Sequence, residues 1–216
     1  AFASINAQIV ADHTAVDDFD SIPQQYIDSV KTMLVDFSGE SHSYGYRRGV
    51  ALLEMIDPTF QVMTYSNDAP PANTDQYLRI GRHMTMGEDY FFSQDKISDL
   101  KADITSQNNT GNPFDIMGFG WCWDMTWHNN PGGLLDPVYN VHWAGSSVGG
   151  PQGDMRWGLD SDDEALTGNS VSMDTYFEAV QSYQSYCTDN AYPTQWVFTT
   201  GPVDDVGGTE NGFQRE

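Results

Sequence analysis

Ser41 is the residue whose type and position most favour covalent chemistry. It follows the apolar run 33–37 and the turn residue Gly39, and it comes just before the segment 44–56, which has helical apolar spacing. A hydroxyl between a strand and a helix lies near the positive end of the helix dipole, which stabilises a developing alkoxide or oxyanion. The sequence therefore predicts a serine nucleophile at this position. The alternative is that Ser41 or Ser43 caps the helix, and the two roles can coexist.

A serine nucleophile needs a general base within hydrogen-bond reach. Of the five histidines, His83 is the candidate base, because it follows the short extended piece 76–80 and would line the same cleft. His42 is adjacent to the serine, and its side chain is expected to point elsewhere. His128 and His142 are expected to lie in a loop.

Strands that alternate with helices must position these side chains. Short apolar runs bounded by turn residues predict strands, and apolar residues at helical spacing predict helices. The predicted strands cover 33–37, 59–65, 76–80, 114–119 and 195–200, and the predicted helices begin at Ser21, cover 44–56 and 173–187, and occupy part of 87–107 with an acidic start. This alternation predicts an α/β fold with a parallel sheet and helices on both faces. Ligands of such sheets bind where the carboxyl ends of the strands meet.

Residues 121–170 are predicted to form a long irregular insertion rich in Trp and Gly, far longer than an ordinary connection. Trp121 and Trp123 stand at its beginning. Flat indole rings beside a cleft can stack on sugar rings, which favours a role in substrate binding. The alternative is that the tryptophans pack beneath the insertion, and both interpretations stay open.

A chain of 216 residues has the length of one domain with a buried core. We expect residues 1–20 to be an N-terminal extension. Residues 21–216 are expected to form a single α/β domain. The last residues, 211–216, are typical of the start of a helix, so we expect the sequence to stop before the domain is complete.

The charge balance excludes whole classes of partner. Thirty-one Asp and Glu against nine Lys and Arg give a formal net charge of −22, so the surface repels nucleic-acid backbones. No apolar run approaches the roughly 20 residues that cross a bilayer, and no membrane insertion is expected. The acidic composition and a first residue other than Met favour a secreted, cell-surface or periplasmic protein whose signal has been removed. In such a compartment Cys122 and Cys187 could form a disulfide, with two buried thiols as the alternative.

Two further charged features bear on cofactors. The acidic run 160–164 offers oxygen ligands of the kind that calcium prefers, but it lacks the glycine and the twelve-residue spacing of an EF-hand loop. A solvated surface is the favoured interpretation, calcium stays open, and no other cofactor is expected. Arg47 and Arg48 form a rare basic pair, which we expect to bind neighbouring carboxylates.

Segment 34–45 resembles the first block of the SGNH/GDSL hydrolases, in which a strand ends in Gly-Asp-Ser and the serine is the nucleophile. Ser41 matches that serine, and Glu40 stands in place of the usual Asp. The resemblance implies a three-layer, flavodoxin-like parallel sheet. It also implies that a glycine amide helps to hold the oxyanion, and Gly87 matches that second block best, with Gly81 as competitor.

The later blocks of the family are only partly present. The third block, Gly-x-Asn-Asp after a buried strand, falls on 114–124, where the strand, a glycine and Asp124 are present and the oxyanion-binding Asn is absent. Asp124 joins Trp121 and Trp123 as a candidate substrate-binding residue. The last block, Asp-x-x-His, supplies the base, and no such pattern follows residue 200. The resemblance thus covers about residues 30–205.

Two hypotheses about function follow. The first is an exported serine esterase or deacetylase that acts on small esters or on acyl groups of polysaccharides, with Ser41 as nucleophile. The second is a non-catalytic extracellular protein that keeps the scaffold and binds glycans or assembles with its own copies. The absent Asn and the absent downstream histidine favour the second.

Overall fold

The computed structural model describes residues 13–39, 42–66, 70–84, 89–91, 94–120, 131–135, 142–146 and 171–199. The α-helices are α1 (Gln24–Lys31), α2 (Ser43–Ile56), α3 (Gln94–Asn109) and α4 (Met173–Asp189). The strands are β1 (Leu34–Gly39), β2 (Val62–Ser66), β3 (Leu78–Arg82), β4 (Ile116–Gly120), β5 (Pro131–Leu135), β6 (His142–Ser146), β7 (Val171–Ser172) and β8 (Gln195–Val197). Short 3₁₀ helices span His13–Val16, Phe19–Ser21 and Asp89–Phe91.

A five-stranded parallel sheet organises the fold, with the strand order β2-β3-β1-β4-β8. Each neighbouring pair is parallel, and β1 lies at the centre between β3 and β4. The predicted α/β fold with a parallel sheet is therefore confirmed. When the five strands are numbered by their order along the chain, their order across the sheet is 2-3-1-4-5.

That order differs from the 2-1-3-4-5 order of flavodoxin-like sheets, so the expected flavodoxin-like arrangement is not the one found. In the flavodoxin-like order the second strand pairs with the first, whereas here β3 occupies that position beside β1. The chain reaches β3 from the edge strand β2 with no helix among the described residues 70–77. Apolar spacing predicts each strand but carries no information about this pairing.

One face of the sheet carries the apolar core. Side chains of α3 and α4 pack there with residues from β1, β4 and the segment before β4, and the largest buried members are Leu34, Phe91, Leu100, Ile104, Phe114, Met117, Phe119 and Tyr183. Burial of each such side chain contributes on the order of 1.5–3 kcal/mol. On the other face α2 contacts β1, β2 and β4, and within α2 only Ser43 is buried.

Two sequence predictions need correction. The helix expected within 87–107 begins at Gln94, and Asp89, expected at its acidic start, lies instead in a separate 3₁₀ turn. The acidic residue in the first helical turn is Asp95. The stretch 121–170, expected to be irregular, contains β5 and β6, which form a small antiparallel sheet with β7.

Arg79 ties together the loops at the amino edge of the sheet. Its buried guanidinium donates to the carbonyls of Thr32 at 2.6 Å and Pro71 at 3.2 Å, and to Oδ1 of Asn112 at 2.8 Å. Burial lowers the pKa of this arginine, and the nearby charge of Asp115 opposes that shift. Because the acceptors are backbone and amide oxygens of the fold itself, Arg79 has a structural role.

At the carboxyl edge, three stretches of backbone meet without side chains between them. Gly39 ends β1 and pairs with Gly120 at the end of β4. Gly39 has φ of 119°, a conformation that only glycine adopts readily, and a Cβ there would lie 2.5 Å from the carbonyl oxygen of Gly120. A Cβ at Gly120 would lie 2.5 Å from the backbone nitrogen of Ser43. The first turn of α2 therefore rests directly on the end of β4.

We predict that Gly120→Ala lowers the free energy of unfolding by about 1–3 kcal/mol, because the added methyl group meets the backbone of α2 and cannot be accommodated by side-chain movement alone. Gly49→Ala is the matched control, since Gly49 lies inside α2 with no atom within 4 Å of the new methyl group. It should raise the free energy of unfolding by about 0.5–1 kcal/mol. Urea denaturation measures both, and a Gly120→Ala variant as stable as the parent would contradict the close contact.

Candidate active site

A buried hydrogen-bond network links β1 to the chain that leaves β3. Asp36 and Ser38 lie on the same side of β1, and Oγ of Ser38 donates to Oδ1 of Asp36 at 2.6 Å. The backbone N–H of His83 donates to the same carboxylate oxygen at 3.1 Å, and that of Met84 donates to Oγ of Ser38 at 3.0 Å. Both β1 side chains are fully buried. The network therefore holds the backbone of His83 and Met84, the two described residues that follow β3.

Asp36 is the most perturbed acid of this network. Burial raises the pKa of its carboxyl to about 6 from 3.8, against the opposing effects of the bonds from Ser38 and the His83 backbone and of the charges of His83 and Arg47. Its second oxygen, Oδ2, is buried without a hydrogen-bond partner among the described residues. An unpaired buried oxygen is costly when the group is ionised. A perturbed acid beside the carboxyl edge is typical of functional sites.

His83, the candidate base, is oriented by α3 and by the chain before β4. Its Nε2 lies 3.7 Å from Oδ2 of Asp103, and its ring packs against Phe114 with centroids 5.4 Å apart. The side chain keeps 29% of its surface exposed. These contacts give the imidazole an acidic partner, and its function as a general base stays a prediction.

Gly81, one of the two oxyanion candidates, lies inside β3. It pairs with Asp36 on β1 and with Tyr65 on β2. A Cβ at this position would overlap the ring of Tyr65, whose hydroxyl donates to the carbonyl of Val35 at 3.1 Å. The packing of Tyr65 is therefore enough to explain why residue 81 is a glycine. The oxyanion role of Gly81 stays a prediction.

Several predicted site residues lie outside the described part of the chain, namely Ser41 with Glu40, Gly87, Trp121, Trp123 and Asp124. The residues that flank the first of them are described. Gly39 precedes residues 40–42, and Ser43 follows them as the first residue of α2.

The start of α2 also bears on the capping alternative. The N-cap position is held by His42, which makes no side-chain capping hydrogen bond. Ser43 lies inside the helix, and its hydroxyl accepts a hydrogen bond from Arg47 at 3.1 Å. The expectation that Ser43 caps the helix is therefore wrong, because the helix begins one residue earlier than the cap would require.

The predicted disulfide finds no support. Cys187 is a free thiol, fully buried in the core against α3 and β8 neighbours, and burial raises its pKa. Cys122 lies outside the described residues. A buried thiol with a raised pKa is a poor nucleophile, so Cys187 acts as a packing residue.

The described residues hold no cluster of three or more His, Cys, Asp or Glu side chains that could bind a metal ion. The acidic run 160–164 is outside them. None of the described helices has the length and apolar character of a membrane span. Within the same residues, Arg47 and Arg48 form no ion pair with a carboxylate, in contrast to what the sequence predicts.

The chain was compared with protein-family models, with curated proteins and with solved structures, and no match was found in any of the three. The case for a function therefore rests on the geometry of the chain itself.

Sequence reasoning missed Asp36 and Ser38 as site residues. Both stand in a strand that is otherwise apolar, and two polar side chains at alternate positions of a buried strand must face the same side. A buried carboxylate needs hydrogen-bond donors, so this pattern was a readable signal of a polar network.

We predict that Asp36→Asn changes the pH dependence of stability. The folded-state pKa lies above the unfolded one, so the stabilisation by the protonated acid is complete below about pH 3.8 and is lost as the pH rises through about 6. The free energy of unfolding of Asp36→Asn minus that of the parent should therefore increase by roughly 2 kcal/mol between pH 4 and pH 7. Urea denaturation at a series of pH values measures this difference.

Asp57→Asn is the control of opposite sign. The backbone N–H of Thr59 donates to Oδ1 of Asp57 at 2.8 Å and holds the pKa of that carboxyl below its usual value. Its contribution to stability is present above the unfolded pKa and is lost as the pH falls, so this variant should be at its greatest disadvantage near neutral pH. A pH-independent difference for Asp36→Asn would contradict the buried, protonated carboxyl.

Proposed function

We propose that the protein is a serine hydrolase of ester bonds in which Ser41 is the nucleophile. The observation that carries the proposal is the anchored strand, turn and helix at the carboxyl edge, where Gly39 and the first turn of α2 both contact Gly120. The likeness of segment 34–45 to the first SGNH block adds to it. Esterase or deacetylase chemistry is the activity that this arrangement supports best.

The reach of the chain limits where Ser41 can lie. It is two residues from Gly39 and two from Ser43, so its Cα is within about 7 Å of each of these anchored positions. The first turn of α2 begins at Ser43, and the N-terminus of a helix is the positive end of its dipole. The positive end of a helix dipole stabilises an oxyanion.

The proposed reaction has two steps. Oγ of Ser41 attacks the acyl carbon, its proton passes to a histidine, and the alcohol departs with that proton, which leaves an acyl-enzyme. Water then attacks the acyl carbon and releases the acid and the free serine. Gly87 or Gly81 supplies an amide to the oxyanion, and His83 acts as base.

The network of Asp36 and Ser38 has a positioning role in this scheme. By holding the backbone of His83 and Met84, it fixes the start of the segment that carries Gly87. An amide can stabilise an oxyanion only if it is placed within a few tenths of an ångström, so the supporting bonds matter as much as the donor.

Acylated glycans are the substrates that the composition favours, with Trp121, Trp123 and Asp124 as binding residues. Indole rings stack on sugars, and the acidic, lysine-poor composition is common in exported proteins. We propose a secreted, cell-surface or periplasmic location accordingly.

A non-catalytic binding or assembly protein is the second candidate. The pairing of the His83 ring with Asp103 favours it, because that contact gives the imidazole a partner other than a serine.

We predict that Ser41→Ala lowers kcat/KM for an aryl acetate by at least about a thousandfold, because removal of the nucleophile abolishes the acyl-enzyme route. Ser29→Ala is the control, since Ser29 lies on the exposed face of α1 and donates only to the carbonyl of Gln25. It should hydrolyse the ester at the parental rate. A parent without turnover, or equal turnover in Ser41→Ala, would exclude the hydrolase and favour the binding protein.

A further inference from the structure

Three of the nine basic residues converge on one groove of this strongly acidic chain. The groove has a volume of about 750 Å³ and lies between the first half of α2, the edge strand β2 and the end of β3. Arg47 and Arg48 enter it from α2, and Arg82 enters it from the last position of β3. Among the residues that the structure describes, the ten that line the groove include no Asp or Glu.

Arg47 and Arg82 are close enough to repel each other. Partial burial and the charge of Arg82 both lower the pKa of Arg47, against the attraction of Asp36 and Tyr44. Like charges held together are unfavourable unless an anion lies between them. Arg47 has fold contacts of its own, to the carbonyl of Phe37 and to Ser43, whereas Arg48 lies exposed on the helix surface.

The groove adjoins the candidate active site. The two acceptors of Arg47, Phe37 and Ser43, stand on either side of the turn 40–42. Arg82 directly precedes His83, whose backbone binds Asp36. A ligand that fills the groove therefore lies next to the position proposed for Ser41.

The lining chemistry selects for an anionic sugar. Guanidinium groups bind carboxylates through two parallel charge-assisted hydrogen bonds, and they do so better than they bind neutral groups. The Tyr44 side chain, 62% exposed at the groove, offers a flat ring to a sugar face, and Thr64 and Ser66 offer hydroxyls. The volume is that of a small-molecule site and suits two or three sugar units.

We propose that this arginine groove binds a carboxylate-bearing sugar, so that the ester substrate is an acylated acidic glycan. The identity of the ester substrate rests on the proposed function, whereas binding of an acidic sugar in the groove does not depend on it. A chain of net charge −22 repels polyanions at a distance, and a local basic groove is the place where one can dock. The acyl group then reaches the turn that holds Ser41 while a neighbouring uronate occupies the arginines.

The test measures binding of trigalacturonate by calorimetry at low salt. The parent should bind it and should not bind neutral galactotriose. Arg48→Gln and Arg82→Gln should each weaken binding at least tenfold, because each removes charge-assisted hydrogen bonds. Lys96→Gln is the matched control: it removes the same charge from α3, where Lys96 pairs with Asp99 away from the groove, and it should bind as the parent does. Absence of binding, or equal binding by all variants, would overturn the proposal.

Two further arms separate the ligand source and the two proposals. Binding of inorganic sulfate without binding of trigalacturonate would overturn the acidic glycan as ligand. Ser41→Ala should bind trigalacturonate as the parent does. The ratio of kcat/KM on acetylated trigalacturonate to that on an aryl acetate should fall at least tenfold in Arg48→Gln and stay constant in Lys96→Gln. Binding of trigalacturonate without any ester turnover would support the groove proposal and exclude the hydrolase. Turnover of the aryl acetate without binding of trigalacturonate would support the hydrolase and exclude the groove proposal.

Discussion

Direct backbone contact at the carboxyl edge of the sheet is the constraint on which the rest of the site depends. β1 and β4 both end in glycine, and the first turn of α2 rests on Gly120 at a distance that excludes even a methyl group. The described residues on either side of residues 40–42, Gly39 and Ser43, are therefore both held at this edge. The proposal for Ser41 depends on these two anchored positions.

Burial of Asp36 in the central strand β1 is energetically unfavourable, and its contact at the carboxyl edge explains why the acid is there. Asp36 is buried, and one of its oxygens has no partner among the described residues, although an apolar residue at this position would pack more favourably. The carboxylate of Asp36 accepts a hydrogen bond from the backbone N–H of His83, and this bond fixes the chain where it leaves β3. On the opposite side of β1, Arg47 donates to the carbonyl of Phe37 and lines the arginine groove. The buried network of Asp36 and the accessible arginine groove therefore meet at β1.

Local pattern was enough to predict the strands and helices of the main sheet, because apolar spacing and turn residues are properties of neighbouring residues. The strand order was not predictable in this way, since pairing of β3 with β1 depends on contacts between distant parts of the chain. The arginine groove was not predictable for the same reason, because Arg82 is far in sequence from Arg47 and Arg48. From the sequence alone, Arg47 and Arg48 were expected to bind carboxylates. Asp36 and Ser38 signal a buried polar network by their alternate positions in β1, but the sequence does not show that the backbone of His83 and Met84 supplies the donors.

The assignment of the nucleophile is the claim on which the functional account depends most. A fluorophosphonate reacts covalently with an activated serine and spares ordinary hydroxyls. The direct measurement is therefore mass spectrometry of peptides from the full-length protein after treatment with such a reagent. The account predicts one adduct, on the peptide that contains Ser41, and its absence in protein unfolded before treatment. Labelling of another serine, or no labelling of the folded protein, would contradict it.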